Sequence, residues 1–481
     1  MRPLLKEHNL DQNTFANYRP ISNLSFISKI IERVVLKRLQ KHMDTNNLNS
    51  HKQFGYKKRH GTETLHIKFL NDLLVAIDSK KGVVVLLMDL SSAFDTVDHR
   101  KLLNILFQDI HITGTALKWF KSYLMGRSQR VMVGSSISEP LELSFGVPQG
   151  SVLGPVLFNL YIRSLPSAFS DAKFNCLGYA DDNLGYQVFT ISAEADVFSR
   201  NIPHCIDKIK SWMNNYFLKL NDSKTKVIVF GNTHFLNSLS TTELTTSSND
   251  VIKVVDSVKY LGVYLDKHLS FVGHVNKITS HCYSLLRNIG SIRRFLSQSQ
   301  CETLVHAVIS SRVDYCNSVF FGLPKSTLQK LVRVQSSASK LILRRGRRHG
   351  LPSPVRLDIL HWLSIEKRII FRILVHMFNC FKGSAPIEML CLLVPYIGEQ
   401  RFVSNSGLDN EPLPFYSYDT RFYFPKSSFG RRAFSFAGPR LWNCIPLSLR
   451  SSMDIKTFKK NLKTYLWTHF DELMSSYRIF F

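Results

Sequence analysis

The sequence predicts an α+β fold, and three observations carry that prediction. Val83-Val84-Val85-Leu86-Leu87-Met88 is an unbroken apolar run closed by Asp89. A run of this length, rich in β-branched residues, reads as a strand buried on both faces. Leu177-Gly178-Tyr179-Ala180-Asp181-Asp182-Asn183-Leu184 sets apolar residues on both sides of an acidic pair, which fits a tight hairpin with the pair at its tip. Around these strands lie long stretches with apolar residues at helical spacing.

Taken in order, Ile27, Ile30, Ile31, Val34, Val35 and Leu39 form one face of a helix expected over 21–40, with Ser28, Lys29, Glu32 and Arg33 opposite. A second helix is expected over 62–79, then the strand 82–89 and a helix over 98–107. Residues 123–144 read as strands joined by Gly turns. Gly154 and Pro155 interrupt the next helix, 156–163. The acidic hairpin follows, then a helix over 193–217 and a strand over 226–230. Residues 231–250 are rich in Ser, Thr and Asn and read as a solvated loop. A hairpin is expected within 254–265 and several amphipathic helices within 271–343. Arg344-Arg345-Gly346-Arg347-Arg348-His349-Gly350 makes a natural boundary, and no internal repeat is evident.

If the first strand and the hairpin lie side by side, Asp89, Asp181 and Asp182 converge. Three adjacent carboxylates are unstable without cations, and hard oxygen donors select Mg²⁺, with Mn²⁺ as a substitute. Two such ions, roughly 3.5–4 Å apart, activate one oxygen and stabilise another in phosphoryl transfer. The ordinary reading stands beside this one: an Asp after a strand is a turn former, and Asp pairs are common in loops.

With 481 residues, several domains are expected. Lys and Arg number 62 against 36 Asp and Glu, a net charge of +26, which calls for a polyanion and points to nucleic acid. The excess is uneven: residues 271–481 hold 30 Lys and Arg against 12 Asp and Glu, so that part is the better candidate for gripping a polyanion. The eight cysteines form no Cys-x-x-Cys and no zinc-spaced cluster, which fits packing roles in a reducing compartment. No apolar stretch reaches the ~18 residues of a membrane span and no signal peptide is evident. An intracellular protein without a membrane partner is expected.

Seven blocks in order then carry a resemblance. They are Asn17-Tyr18-Arg19-Pro20-Ile21-Ser22-Asn23-Leu24; Gln53-Phe54-Gly55-Tyr56 with His60-Gly61-Thr62; Asp89 to His99; Gly146-Val147-Pro148-Gln149-Gly150-Ser151-Val152-Leu153-Gly154-Pro155; Tyr179-Ala180-Asp181-Asp182; Leu220 to Lys226; and Tyr260-Leu261-Gly262-Val263. Together they resemble the reverse transcriptases of non-LTR (LINE-type, CR1/jockey-like) retrotransposons.

The resemblance implies a right-hand polymerase with fingers, a palm bearing an antiparallel sheet, and a helical thumb, followed by a mainly helical, basic C-terminal region. It places fingers at 1–75, cut short at the start, and the palm at 76–270 with an inserted fingers segment at about 101–145. A primer grip falls at 257–266, the thumb at 271–345, and an RNA-binding region at 346–481. The implied activity is RNA-directed DNA synthesis, adding deoxynucleotides to a primer 3′-hydroxyl with two Mg²⁺ ions (or Mn²⁺) held by Asp89, Asp181 and Asp182.

Arg19 would clamp triphosphate oxygens; as a lone residue it reads as a surface ion pair. Phe94 resembles a steric gate against a ribose 2′-hydroxyl; alone it reads as core. Gln149 and Gly150 would face nucleotide and template, Gly150 allowing close backbone approach. Lys224 resembles the lysine that protonates pyrophosphate, with Lys219 and Lys226 as competitors. Tyr260, Leu261 and Gly262 resemble the primer grip; without the resemblance they read as an edge hairpin. Asp95 and Asp98 read as helix-start or turn residues. Arg344, Arg345, Arg347 and Arg348 are candidate RNA contacts. In the tail, basic residues interleaved with Phe and Trp, as in Phe429-Gly430-Arg431-Arg432-Ala433-Phe434 and around Trp442 and Phe458, suit stacking plus phosphate contacts or an ordinary amphipathic helical domain.

The implied partners are template RNA, a DNA primer or nicked target DNA, and deoxynucleoside triphosphates, with a ribonucleoprotein in nucleus and cytoplasm as the expected setting. Three features depart from the family. Only 16 residues precede Asn17, leaving no room for the family's endonuclease domain, so Met1 is expected to fall inside a longer ancestral frame. Asn183 stands where relatives often have Thr, and no zinc knuckle is present. The competing expectation is an inactive remnant or a co-opted nucleic-acid-binding protein.

Overall fold

The computed structural model describes residues 1–6, 10–91, 93–221, 224–241, 243–245, 251–344, 352–394 and 425–478. The α+β expectation holds. Strands β1 (Arg2–Leu5) and β2 (Tyr18–Ile21) pair antiparallel, Leu4 opposite Arg19. The first helix therefore starts later than 21. It is α1 (Phe26–Thr45), opened by Ser25, whose hydroxyl accepts from Ser28 N at 3.2 Å. Its buried face also differs from the one expected. Ile27, Ile30, Ile31 and Val34 are exposed, whereas Glu32, Leu39 and Met43 are buried. The cause is Glu32, whose Oε2 accepts from Val152 N (2.6 Å) and Leu153 N (3.0 Å). Two buried donors of a distant turn thus draw a charged residue inward.

Helix α2 (Thr62–Asp78) has 13 of its 17 residues buried, so it is enclosed by neighbours rather than resting on one. It leads into β3 (Gly82–Met88). Asp98 caps the helix after it, α3 (His99–Gln108), accepting from Lys101 N at 2.7 Å. A helix not anticipated in the sequence, α4 (Gly114–Leu124), precedes two short strand pairs within 128–142. Gly154 and Pro155 open rather than interrupt α5 (Gly154–Tyr161), because proline in a first turn lacks only an N–H that has no helical partner.

The hairpin strands are β4 (Asn175–Tyr179) and β5 (Asp182–Phe189). After them come α6 (Ile202–Asn215) and β6 (Lys226–Phe230). The sheet order is β6-β3-β5-β4, antiparallel throughout. Alternate residues of β3 enter two cores: Val83 and Val85 belong to the one that holds Phe69, Leu73 and Ile228, while Val84, Leu86 and Met88 belong to the one that holds Leu102, Leu157 and Ile209. That period of two explains why the strand is apolar throughout. The expected loop 231–250 is partly structured, with Phe235 buried in a short helix, Thr233–Asn237, where a Cβ on Gly82 would strike its ring.

Beyond the hairpin β7 (Ser257–Tyr260) and β8 (Val263–Asp266) the chain is helical, including α7 (Val272–Ile292), α8 (Lys325–Ile342), α9 (Ile365–Phe381), α10 (Phe434–Cys444) and α11 (Ile455–Thr468). These helices share one apolar core with α2. Three polar residues of α2 serve the same union. Glu63 binds Arg372 (2.5 Å) and accepts from Ser318 Oγ (2.7 Å). Asn71 Oδ1 accepts from Ser435 N at 2.9 Å, and the Asp78 carboxylate accepts from Ser427 N (2.6 Å) and Lys426 N (2.9 Å). Trp442 and Phe458 are fully buried, Phe458 stacking on Phe378 at 4.4 Å. Their rings hold the helices together, so base stacking is not open to them; that expectation is corrected by packing.

Candidate active site

The register places Asn183 opposite Met88 and Leu184 opposite Leu87, so Asp182 stands across from Asp89 at the end of β3. Tyr179 pairs with Asp182, which leaves Ala180 and Asp181 as a two-residue turn. The hairpin tip and the strand end thus bring three carboxylates within electrostatic reach of one another. Burial raises the pKa of Asp181, with Asp89 adding to it and Arg19 opposing. Burial also pushes Asp182 up to about 6, reinforced by Asp181 and Asp89 and opposed by Lys224. Asp182 still opens to solvent.

Among the described residues no three acidic, His or Cys side chains close around a metal position. Lys224 Nζ lies 3.0 Å from Asp89 Oδ2. The donor set, all carboxylate and mutually repelling, fits a hard divalent cation. Lys219 and Lys226 make no ion pair with these acids among the described residues.

Arg19, on β2, is exposed and acts on Asp181. The turn 148–151 is pinned to the end of that strand by Ser22 N donating to Gln149 O at 2.8 Å. Gly150 has φ 103 and a Cβ there would sit 3.1 Å from Ser22 O, so glycine is required. The Gln149 amide donates to both Asp95 oxygens (3.0 and 3.1 Å). Asp95 thus takes the turn role of the two expected for it, and from that turn it holds Gln149. Phe94 stacks on Phe158 at 4.6 Å and stays half-buried.

Leu261 and Gly262 form the turn of the β7–β8 hairpin with φ 42 and 82, the positive pair of a type I′ turn. Tyr315 Oη donates to Leu261 O at 2.7 Å beneath it. Tyr260 is buried at 4% exposure between His66 and Phe69, so its ring is core and only Leu261 and Gly262 are presented. Arg344 donates to Leu296 O at 3.1 Å on the helical side; Arg345, Arg347 and Arg348 lie outside the described residues.

Reading the sequence missed three contributors: Glu32, Asp95 and Gln53. In the sequence Gln53 stands out only as part of the second block, whereas its amide contacts the turn residue Ala180 at 2.8 and 3.1 Å. A cleft of about 530 Å³ beside it is rimmed by Lys37, Lys41, Lys57, Lys58, Arg59 and Arg163, with Asp44 the one acid in its lining.

A family profile described as "Reverse transcriptase (RNA-dependent DNA polymerase)" matches residues 6–265. Among relatives, the "Probable RNA-directed DNA polymerase from transposon BS" of Drosophila melanogaster is 32% identical over 295 residues, 60% of this chain and 31% of that protein. The "Probable RNA-directed DNA polymerase from transposon X-element" of the same species is 30% identical, over 68% of this chain and 36% of that one. The "RNA-directed DNA polymerase from mobile element jockey", also from Drosophila melanogaster, is 29% identical over 68% and 35%. The chain thus spans about a third of the length of these relatives. A telomerase from Candida tropicalis solved with a telomeric RNA fragment aligns at 11% identity with a TM-score of 0.35, over 70% of this chain and 57% of that one, a score too low to carry a structural argument.

Proposed function

Because the chain belongs to the reverse transcriptase (RNA-dependent DNA polymerase) family, we propose that it extends a primer 3′-hydroxyl with deoxynucleoside triphosphates on an RNA template. The observation that carries the reading is the register that sets Asp182 across from Asp89, with Asp181 in the adjoining turn. Asp89, Asp181 and Asp182 hold two Mg²⁺ ions, or Mn²⁺ in their place. When bound, the ions neutralise the triphosphate and lower the pKa of the attacking hydroxyl.

The chain's own groups do the rest. Arg19 meets the triphosphate from the β2 side, and Gln149 and Gly150 border the nucleotide. Phe94, braced by Phe158, limits the room at the sugar. Lys224 gives a proton to the leaving pyrophosphate. Leu261 and Gly262 steady the primer end. Template RNA follows the basic cleft between α1 and the 50–59 segment, where six cations face one acid. In this reading 1–75 act as fingers, 76–270 as palm and 271–345 as thumb. The region 346–481 touches RNA through its basic surface. No helix among the described residues is long and apolar enough to cross a membrane.

Primer extension on an RNA template tests the proposal. Deoxynucleotide incorporation dependent on Mg²⁺ or Mn²⁺, abolished by Asp181→Asn with Asp182→Asn, is expected. Folded protein that binds template and primer yet incorporates nothing would overturn it.

A further inference from the structure

Ala180 has φ 58, a left-handed conformation that two-residue hairpin turns require and that Gly, Asn or Asp normally supplies. An alanine there carries a Cβ penalty, and such a residue persists only where its surroundings over-determine it. The surroundings are the Gln53 side chain. Its Oε1 accepts from Ala180 N at 2.8 Å and its Nε2 donates to Ala180 O at 3.1 Å. The same Oε1 accepts from Gly55 N at 2.8 Å, which fixes which end of the amide is which. A carboxamide offers an acceptor and a donor side by side.

The segment carrying Gln53 is itself docked on β4. Phe54 N donates to Gly178 O at 2.7 Å, and Gly178 N to Lys52 O at 2.8 Å. A Cβ on Gly55 would lie 2.4 Å from Ala180 N, so glycine is what lets the segment come this close. On the other side of the turn Asn183 Nδ2 donates to Asp181 O at 3.0 Å.

We propose that Gln53 is a positioning residue for the acidic hairpin, its amide clamping both polar backbone groups of Ala180 and so fixing where the Asp181 carboxylate stands. The inference rests on the metal-site reading of that hairpin for its catalytic consequence, but the clamp itself is measurable without it. Glycine at 180 adopts the same φ freely, so it should relieve the need for the clamp.

The experiment compares wild type, Gln53→Ala, Ala180→Gly and the double variant. It reads amide hydrogen exchange at Ala180, Mn²⁺ affinity, and single-turnover deoxynucleotide incorporation. Gln53→Ala should speed Ala180 exchange at least tenfold, with Mn²⁺ affinity and incorporation each falling about tenfold or more. The double variant should regain most of the affinity and rate, a rescue that a mere packing role for Gln53 would not produce. Unchanged Ala180 exchange in Gln53→Ala overturns the clamp whether or not the protein polymerises. Faster exchange with losses that Ala180→Gly does not repair overturns the positioning role. A wild type that neither binds Mn²⁺ nor incorporates, with exchange behaving as stated, counts against the polymerase reading and leaves the clamp standing.

Discussion

Lys224 and Asp89, 135 residues apart, meet at 3.0 Å across the end of the central strand. The contact puts a protein cation on a carboxylate that a divalent ion would use. Lys224 is 64% exposed and Asp89 32%, so the pair is worth at most about 1 kcal/mol. Lys224→Ala should therefore tighten Mn²⁺ binding by no more than roughly fivefold. Incorporation should fall at the same time, because the proton donor is gone. Titration calorimetry and single-turnover kinetics read the two effects separately; a parallel loss of both would make Lys224 a structural support.

Glu32 anchors the turn that carries Gln149 and Gly150. Glu32→Ala leaves Val152 N and Leu153 N without their acceptor, a cost of about 1–3 kcal/mol for each buried group left unpaired. The expected result is a raised KM for deoxynucleotides together with a lower unfolding midpoint. Glu32→Gln, which keeps an acceptor oxygen, should recover most of both.

Phe94→Val removes the ring braced on Phe158. Discrimination against ribonucleotides, measured as the ratio of kcat/KM values, should fall by at least tenfold. An unchanged ratio would return Phe94 to the core.

Glu63 makes stability depend on acid. Burial alone would raise its pKa, but His376, Arg372 and Ser318 outweigh that and hold it at about 2, below the ordinary 4.5. A depressed carboxylate stabilises the fold above its unfolded pKa and loses that contribution as pH falls through the folded value. About 3 kcal/mol should thus be present at pH 7 and disappear between roughly pH 5 and 2. Glu63→Gln should flatten this part of the profile in chemical denaturation. An equally steep profile would assign the acid sensitivity to other carboxylates.

Lys37 and Lys41 line the basic cleft beside the turn. If each contacts one phosphate of single-stranded RNA, the double alanine variant should lower the slope of log affinity against log salt by about 1.4. An unchanged slope would move the template path elsewhere.

What the sequence reveals follows from how local the cause is. Strand β3 and the acidic hairpin were legible because burial on two faces and a turn flanked by apolar residues each write a contiguous pattern. Asp89, Asp181 and Asp182 stand out as candidates for the same reason. Glu32 was misplaced on the outer face of its helix because its partners, Val152 and Leu153, lie 120 residues away and leave no periodic trace. Gln53 and Asp95 are short-range in space but remote in sequence from the residues they hold. The rings of Trp442 and Phe458 look alike whether they stack on bases or on Phe378. Only the packing around them, which buries both rings completely against Phe378, Phe381 and each other, decides between the two.

The central claim is that Asp89, Asp181 and Asp182 form one divalent-metal centre that drives nucleotide addition. Mn²⁺ binding to the folded chain, counted by electron paramagnetic resonance with primer, RNA template and a deoxynucleoside triphosphate present, tests it most directly. The account predicts two bound ions in wild type. Asp182→Asn should lose at least one of them, with incorporation falling by about a hundredfold to a thousandfold, the range expected when a charge-stabilising group of a reaction centre is removed. An equal count of bound Mn²⁺ in wild type and Asp182→Asn, with incorporation unchanged, would contradict it.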